Sequence, residues 1–422
     1  MYRIPGQLIF MKIAYISKAD RTGGGASLVA EELTRLFNAK GHMAHHYFAI
    51  GTYDDTYKIP LYGSRPGLDR LFRKIHILSK KIGLPEILPL ELTFLFYRSR
   101  ILQYDVIHFH DLCAAISPVT VSVLSAFKPT IWTFHDCSPF TGGCLYPMDC
   151  NRFKKKCGPC PQLGNWPIDT SIDCTGMMQT IKRKLAQFNS FKIITPSKWM
   201  ADMVMTSCLT KLPPQVIPNA VNTKAYTPFD KMEVRIQLGI PLDRFVILII
   251  ATYLEDYRKG NKYAIEAISK ISALKPFLLL VGNINDSVKY IFSDFDYKAT
   301  GYIRDDQEKS AYFSSADVFL FCSLADNMPL VVLETMATGT PTVGFATGGV
   351  PEMIEHNIDG FIVPPRDIDG LVSGLRLVHN RDVSEKWGRN AIRKVVNFYN
   401  YNILYENHLT LYEKQIEKSR LI

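Results

Sequence analysis

Two carboxylates, Asp326 and Glu334, stand eight residues apart in LADNMPLVVLETMATGTPTVGFATGGVPEMI, which runs from 324 to 354. The segment directly follows the apolar run VFLFCS and holds two clusters of small residues. A capped helix and an ordinary αβ turn would share this composition. The same residues could also hold an anion and a sugar. Asp326 and Asn327 can cap a helix that Pro329 helps to start, and a helix start attracts negative charge. Glu334 lies seven residues after Asn327, two turns on along one face, where a carboxylate can accept bonds from both hydroxyls of a ribose. Gly348 and Gly349, after the strand pattern PTVGFA, bring bare backbone towards a ligand.

Upstream, EDYRKGNKYAIEAI places Arg258 and Lys259 just before a helix pattern. A guanidinium fork and an ammonium point charge beside helix amides suit a diphosphate. A solvated basic loop looks similar, but this one follows a buried strand and so lies at the ligand edge of a sheet. In the first half, Gly23, Gly24 and Gly25 precede Ala26 and Ser27 after the first strand pattern. They do not form GxGxxG, and no acid closes the second strand, which argues against a dinucleotide. Three glycines where a plain βα turn uses one point to a ligand-facing loop. His110 in HFHD and His135 in TFHD end strand patterns, where an imidazole can bond a hydroxyl or meet a phosphate. Lone histidines are more often structural; His135 has the stronger case because the loop DCSPFTGG follows it. Together these are parts for a nucleotide diphospho-sugar.

The elements that must position them alternate regularly. MKIAYIS, HHYFAI, DVIHFH, TIWTFH and KIITPS read as strands of the first half, separated by helical patterns such as 27–38, which Gly41 ends. RFVILIIAT, FLLLVG, DVFLFCS, PTVGFA and GFIVPP repeat the logic in the second half, with a helix over 261–274. VIPNAVNTKAYTP reads as a connector. The pattern predicts two doubly wound, Rossmann-like α/β domains of parallel strands, with ligand at the strands' carboxyl ends in a central cleft.

At 422 residues the chain is too long for one ordinary core, which agrees with two domains. No run of 18 apolar residues marks a spanning helix, and MYRIPGQLIF lacks the features of a signal peptide, so cytoplasm is the simplest location. The net charge of +9 favours an anionic partner. No zinc-finger, ribonucleoprotein or basic-zipper motif is present, so phosphate-bearing small molecules or an anionic membrane are expected rather than nucleic acid. GLDRLFRKIHILSKKIG, 67–83, sets Leu68, Leu71, Phe72, Ile75, Leu78 and Ile82 at helical spacing with Arg70, Arg73, Lys74, Lys80 and Lys81 largely elsewhere on the wheel. Such a helix can dock on an anionic membrane or simply pack on its own domain.

Nine cysteines without a secretion signal do not read as a disulfide framework. Cys144, Cys150, Cys157 and Cys160 fall within 17 residues and end in a CxxC knuckle, with Cys137 just before. Four thiolates fit a structural zinc with no open position for catalysis; an iron–sulfur cluster or reduced thiols are the alternatives.

Taken in order, the glycine loop at 23–27, TFHD at 133–136, PNAVNT at the connector, RKG at 258–260, the two acids at 326 and 334, and GGVPE at 348–352 resemble the GT-B-fold glycosyltransferases of family 4, also called group 1. The resemblance is to the bacterial polysaccharide-biosynthesis type, a subset of which has a Cys-rich insert after TFHD. It implies an acceptor-side domain over 11–215 with the insert at 137–161, a nucleotide-sugar domain over 216–390, and a helical segment over 391–422 packing back on the first domain. It implies a retaining hexosyltransferase using a UDP- or GDP-sugar and a lipid-linked or growing saccharide, in capsule, exopolysaccharide or O-antigen synthesis at the inner face of the plasma membrane, with no catalytic metal.

By that resemblance Glu334 holds the donor ribose. Asp326, with the backbone of Asn327, Met328, Pro329 and Leu330, holds sugar hydroxyls and diphosphate; Lys259 stabilises the leaving group and His135 contacts the transferred sugar. Gly348 and Gly349 close the donor pocket, while Gly23, Gly24, Gly25 and His110 belong to the acceptor or phosphate side. Two departures stand out: Asp326 replaces the family's usual Glu, and Thr252-Tyr253 replace its Gly-Arg pair, leaving Arg258 as an electrostatic substitute. These departures support the alternative of a non-catalytic nucleotide-sugar or glycan-binding homologue. An epimerase is disfavoured because its several acid/base carboxylates cannot be placed.

Overall fold

The computed structural model describes residues 10–62, 66–97, 99–113, 115–188, 190–253, 256–283 and 285–421. The N-terminal MYRIPGQLI and the side chain of Leu68 lie outside that description. The chain divides into two units: one runs to Ile217 and resumes at Tyr405, and the other is Pro218–Leu404.

The first unit is built on seven parallel strands: β1 (Lys12–Ile16), β2 (Met43–Phe48), β3 (Lys58–Pro60), β4 (Val106–Phe109), β5 (Thr130–Thr133), β6 (Lys192–Thr195) and β7 (Gln215–Val216). Their order is β3-β2-β1-β4-β5-β6-β7, so the direction of winding reverses between β1 and β4. The second unit has six parallel strands: β8 (Val246–Tyr253), β9 (Phe277–Asn283), β10 (Tyr297–Gly301), β11 (Val318–Phe321), β12 (Thr342–Phe345) and β13 (Gly360–Val363). Their order is β10-β9-β8-β11-β12-β13, reversing between β8 and β11. Each unit is thus a doubly wound α/β domain.

Central strands carry apolar residues at every position because helices cover both faces. In the second unit Ile247, Ile249, Leu278, Leu280, Val318 and Leu320 enter one core, while Val246, Leu248, Leu279, Val281, Phe319 and Phe321 enter the other. Strands β3, β7 and β10, which have no counterpart among the runs recognised in the sequence, are all edge strands. An edge strand needs no continuous apolar run.

The second unit ends at Leu404 where the sequence reading placed 390, because the helix Arg381–Phe398 buries Trp387, Ala391 and Val395 in that unit's cores. The last helix, Tyr401–Arg420, then feeds the first unit. There Tyr405 meets His42 Nε2 at 2.9 Å, and the Tyr412 hydroxyl lies 2.7 Å from His108 Nδ1 and 3.1 Å from the Tyr15 hydroxyl.

The helix Pro66–Lys81 differs from its expected wheel. Its packed side is Phe72, His76 and Ser79, whereas Leu71, Ile77, Leu78 and Ile82 are exposed beside Arg70, Lys74 and Lys81. Three residues of the predicted apolar stripe, Leu71, Leu78 and Ile82, therefore face solvent together with the cations. Among the described residues no helix is long and apolar enough to cross a membrane.

One buried acid leaves a mark on stability. Glu91 Oε1 accepts from the Ser117 amide at 2.8 Å and the Thr120 hydroxyl at 2.5 Å, but Oε2 has no partner. Burial pushes this carboxyl from 4.5 up to about 7, against the pull of those bonds. The native state therefore keeps a proton that the unfolded chain releases, and the associated stability is full below pH 4.5 and lost as pH rises through about 7. Denaturant titrations across that window should show wild type losing at most on the order of 3 kcal/mol from this group, and Glu91→Gln lacking that component. An identical slope in both proteins would contradict the assignment.

Candidate functional site

In the second unit the relevant loops leave the carboxyl ends of β8, β11 and β12, two of them flanking the winding reversal. Asp256 caps the short turn Tyr257–Lys259 by accepting from the Arg258 amide at 2.9 Å. It also holds the Arg258 guanidinium, with Nε at 3.1 Å from both carboxylate oxygens and Nη2 at 2.6 Å. Burial raises the Asp256 carboxyl, but the Arg258 bonds outweigh it and hold it below its ordinary range. Arg258 is thus engaged by an acid of its own turn. Lys259 instead reaches Asp326, Nζ to Oδ2 at 3.1 Å.

The loops are stitched through backbone. Leu324 N donates to Arg258 O at 2.7 Å, Gly349 N to Asn327 O at 2.7 Å, and Thr347 Oγ1 to Ser323 O at 2.9 Å. Asn219 Nδ2 donates to Met328 O at 2.9 Å, so the connector motif PNAVNT anchors the acid loop. A side chain at Gly260, where φ is +68°, would collide with the Cys322 carbonyl, and one at Gly348 (φ +58°) with the Asp326 carbonyl. Gly348 and Gly349 thus clamp Asp326 and Asn327 from behind. The Met328 side chain is core; only its backbone is available to the site.

The helix that follows is Leu330–Ala337, with Pro329 at its N-cap and no side-chain cap bond. Asp326 and Asn327 do not cap it, contrary to the sequence reading: proline occupies the capping position and offers no acceptor. Asp326 Oδ1 accepts from the Asn327 amide at 3.0 Å. The first-turn amides therefore have no capping side chain, which favours an anion there.

Glu334, 6% exposed, is held within a cluster invisible to local sequence reading. The Tyr226 hydroxyl donates to Asp306 Oδ1 at 3.0 Å, and Lys309 Nζ lies 3.2 Å from that hydroxyl and 3.0 Å from Asp306. Burial first, then the charges of Glu334 and Asp306, push Tyr226 far up. Burial would lower Lys309, but Glu334 and Asp306 outweigh it and keep the ammonium charged. Tyr226 and Lys309 are 83 residues apart, so no spacing could have linked them to Glu334.

In the first unit the glycine loop has structural reasons of its own. Gly24 sits at φ +105° as the N-cap of the helix Gly25–Ala39, and a Cβ on Gly23 would strike Ala19. Two of the three glycines are thus demanded by backbone geometry, which removes the glycine count as an argument for a ligand. The loop is held by Asp20, which accepts from the amides of Thr22 and Thr52, each at 3.0 Å.

His110 is buried and lies behind His135, Nδ1 to Nε2 at 2.9 Å, with the rings stacked 5.2 Å apart. The His110 Nε2 atom is buried without a partner. His110 therefore orients His135 instead of lining an acceptor or phosphate loop. Burial lowers His135 to about 4, with Asp111 opposing and His408 adding to the shift. A neutral imidazole can exchange hydrogen bonds with a hydroxyl but brings no charge to a phosphate. The charge comes from Lys18, absent from the sequence reading, whose Nζ lies 2.9 Å from Asp111 Oδ2. Burial disfavours its ammonium, yet Asp111 holds it above the usual lysine range. Its signal was present: the lysine directly follows MKIAYIS. Burial, followed by Asp111, raises neighbouring Asp136 to about 6.

Cys144, Cys150, Cys157 and Cys160 line one cavity with Arg152, Phe153 and Thr175 among its other walls. Among the described residues no three His, Cys, Asp or Glu side chains already converge as a metal-binding group.

Two doubly wound domains, each with its polar cluster at the winding reversal, define the GT-B class, and sucrose-phosphate synthase from Thermosynechococcus elongatus shares the fold at TM-score 0.73, 18% identity and coverage of 97% of this chain and 100% of that one. Residues 23–225 match the family described as Glycosyltransferase Family 4, and 244–380 match Glycosyl transferases group 1. The chain belongs to this glycosyltransferase family. It is similar to an uncharacterized glycosyltransferase of Methanocaldococcus jannaschii, 27% identical over 55% of this chain and 62% of that one. It also resembles an Escherichia coli enzyme named UDP-Gal:α-D-GlcNAc-diphosphoundecaprenol α-1,3-galactosyltransferase, 27% identical over 44% of this chain and 50% of that one. The chain thus spans about three fifths or less of the length of these curated relatives.

The state of His135 is directly measurable. Its ring nitrogen shifts, followed by NMR, should stay those of neutral imidazole from pH 8 down to pH 5 and titrate near 4; a midpoint at 6 or above would refute the buried, His110-bound arrangement.

Proposed function

We propose that this chain is a retaining hexosyltransferase that moves a sugar from a UDP- or GDP-sugar to a lipid-linked or growing saccharide in capsule, exopolysaccharide or O-antigen synthesis. The observation that carries the reading is the Lys259–Asp326 pair beside the uncapped start of the helix Leu330–Ala337, with buried Glu334 in that helix. A nucleoside diphosphate leaving group gains negative charge as its bond to the sugar breaks. Lys259 and the first-turn amides stabilise that charge, the kind of term that dominates such catalysis. Asp326 keeps the ammonium aimed before donor binding and then serves the sugar hydroxyls, while Glu334 accepts from the ribose. Neutral His135, oriented by His110, contacts the transferred sugar. Asp326 is paired with a lysine, so it does not act with Glu334 as a glycosidase-type acid and nucleophile.

The relative's name supports both a UDP-linked donor and a lipid diphosphate acceptor. Release of nucleotide from UDP-, GDP- and ADP-sugars is the first test. Lys259→Ala should lower kcat/KM by roughly 10²–10³-fold, and Glu334→Ala by about 10–100-fold. If no donor is bound or turned over, the assignment fails. The engagement of Arg258 by Asp256 favours a second reading, a nucleotide-sugar-binding homologue without turnover; tight donor binding with no nucleotide release would select it.

Peripheral docking on an anionic membrane at its inner, cytoplasmic face belongs to the same proposal. The exposed side of the helix Pro66–Lys81 and its end mixes Leu71, Ile77, Leu78 and Ile82 with Arg70, Lys74 and Lys81, which complements an anionic lipid surface. Sedimentation with vesicles should show binding that requires phosphatidylglycerol and falls several-fold in Leu71→Asp/Leu78→Asp. Equal binding to zwitterionic vesicles, or no loss in the double variant, counts against it.

A further inference from the structure

Between β5 and the helix Thr175–Phe188 the chain runs from 134 to 174 with one short helical turn, Arg152–Lys154, as its only regular element. Loops beyond about 12–15 residues without secondary structure are uncommon in compact domains, because little holds their backbone. Phe140 and Phe153 pin this one to the core of the first unit. The stretch between and around those two anchors brings four cysteines to one place.

Cys144, Cys150, Cys157 and Cys160 all line a cavity with room for about 20 Å³ of solvent. That is close to the space needed by a single water or ion. The other cysteines of the loop, Cys137 and Cys174, do not line it. Each of the four has its backbone tied. Thr141 Oγ1 donates to Cys144 O at 2.8 Å, and Cys150 N donates to Pro147 O at 3.0 Å. Cys157 N donates to Gln179 Oε1 at 2.8 Å, and Cys160 N to Asp173 Oδ2 at 2.7 Å. Gly158, at φ +85°, permits the tight CGPC turn that returns Cys160 to the same cavity as Cys157. Gln179 also reaches the carbonyls of Phe140 and Phe153, so the helix that follows the loop supports the core anchors and the cysteine turn together.

We propose that these four cysteines bind one zinc ion that cross-links the loop following His135. Four sulfur donors are the composition of a closed structural zinc site, with no position for a reacting water. Four sulfurs around a small cavity suit a single ion. Four thiolates around a divalent cation leave a net negative charge, and Lys182 supplies a neighbouring cation. Its buried ammonium donates to Ser138 O at 2.8 Å and lies close enough for its charge to act on Cys144 and Cys157. The sulfurs do not yet converge as ligands. The ion draws them in through side-chain torsions while the tied backbones stay in place.

The test uses the full chain purified without chelator. Elemental analysis should find roughly one zinc per chain, and replacement by cobalt should give the visible bands and sulfur-to-metal charge transfer of a tetrahedral tetrathiolate. Cys150→Ser and Cys160→Ser should each hold less than about a tenth of that zinc, whereas Cys208→Ser, an exposed cysteine outside the cavity, should keep it. Should the serine variants fail to fold, wild type still decides: the four thiols should resist maleimide until a chelator is added. Zinc below about half an ion per chain, iron in its place, or disulfides among these four cysteines in non-reduced peptide maps would overturn the proposal.

Discussion

Each unit of this protein depends on a parallel sheet whose winding reverses beside its first strand. At the reversal, the connections from two adjacent strands depart to opposite sides of the sheet and leave a gap above the carboxyl ends. In the first unit those strands are β1 and β4; in the second they are β8 and β11. Lys18, the glycine loop, His110 and Asp111 follow the first pair, while Asp256 to Gly260 and Ser323 to Asn327 follow the second. The polar chemistry therefore gathers where the sheet leaves backbone uncovered, and the apolar strands below supply the stiffness that holds it there.

Charge management then shapes the donor-side cluster. Three cations lie near it, and each has an acid: Arg258 with Asp256, Lys259 with Asp326, and Lys309 with Asp306 beside Glu334. For Lys309, burial disfavours the ammonium and the acids Glu334 and Asp306 outweigh it, so pairing maintains that cation. Gly260 and Gly348 contribute by their lack of a side chain, which lets neighbouring loops approach to backbone contact. The same economy appears in the first unit, where burial keeps His135 neutral and Asp111 keeps Lys18 charged. A hydroxyl-binding group, His135, and a cation, Lys18, therefore share one acid, Asp111, although they lie far apart in sequence. The cysteine loop begins directly after His135, so whatever fixes that loop also fixes the backbone that carries the imidazole.

The amino-acid sequence by itself determined the two-domain α/β class, the central strands, the positions of Lys259, Asp326 and His135 beyond strand ends, and that of Glu334 within a helix. These are local signals: an apolar run buried on two faces and a polar residue just past it leave their pattern in consecutive residues. What only the tertiary structure decided depends on partners distant in sequence or on the environment. Edge strands β3, β7 and β10 carry no continuous apolar run, and the return of the last helix to the first unit rests on Tyr405 and Tyr412 meeting residues near the start of the chain. Arg258 is engaged by a carboxylate two residues away. Tyr226 and Lys309 reach Glu334 from other elements, and burial sets the protonation of His135. Hydrophobic periodicity writes the scaffold into the sequence, whereas pairing and desolvation of charge exist only once the chain has folded.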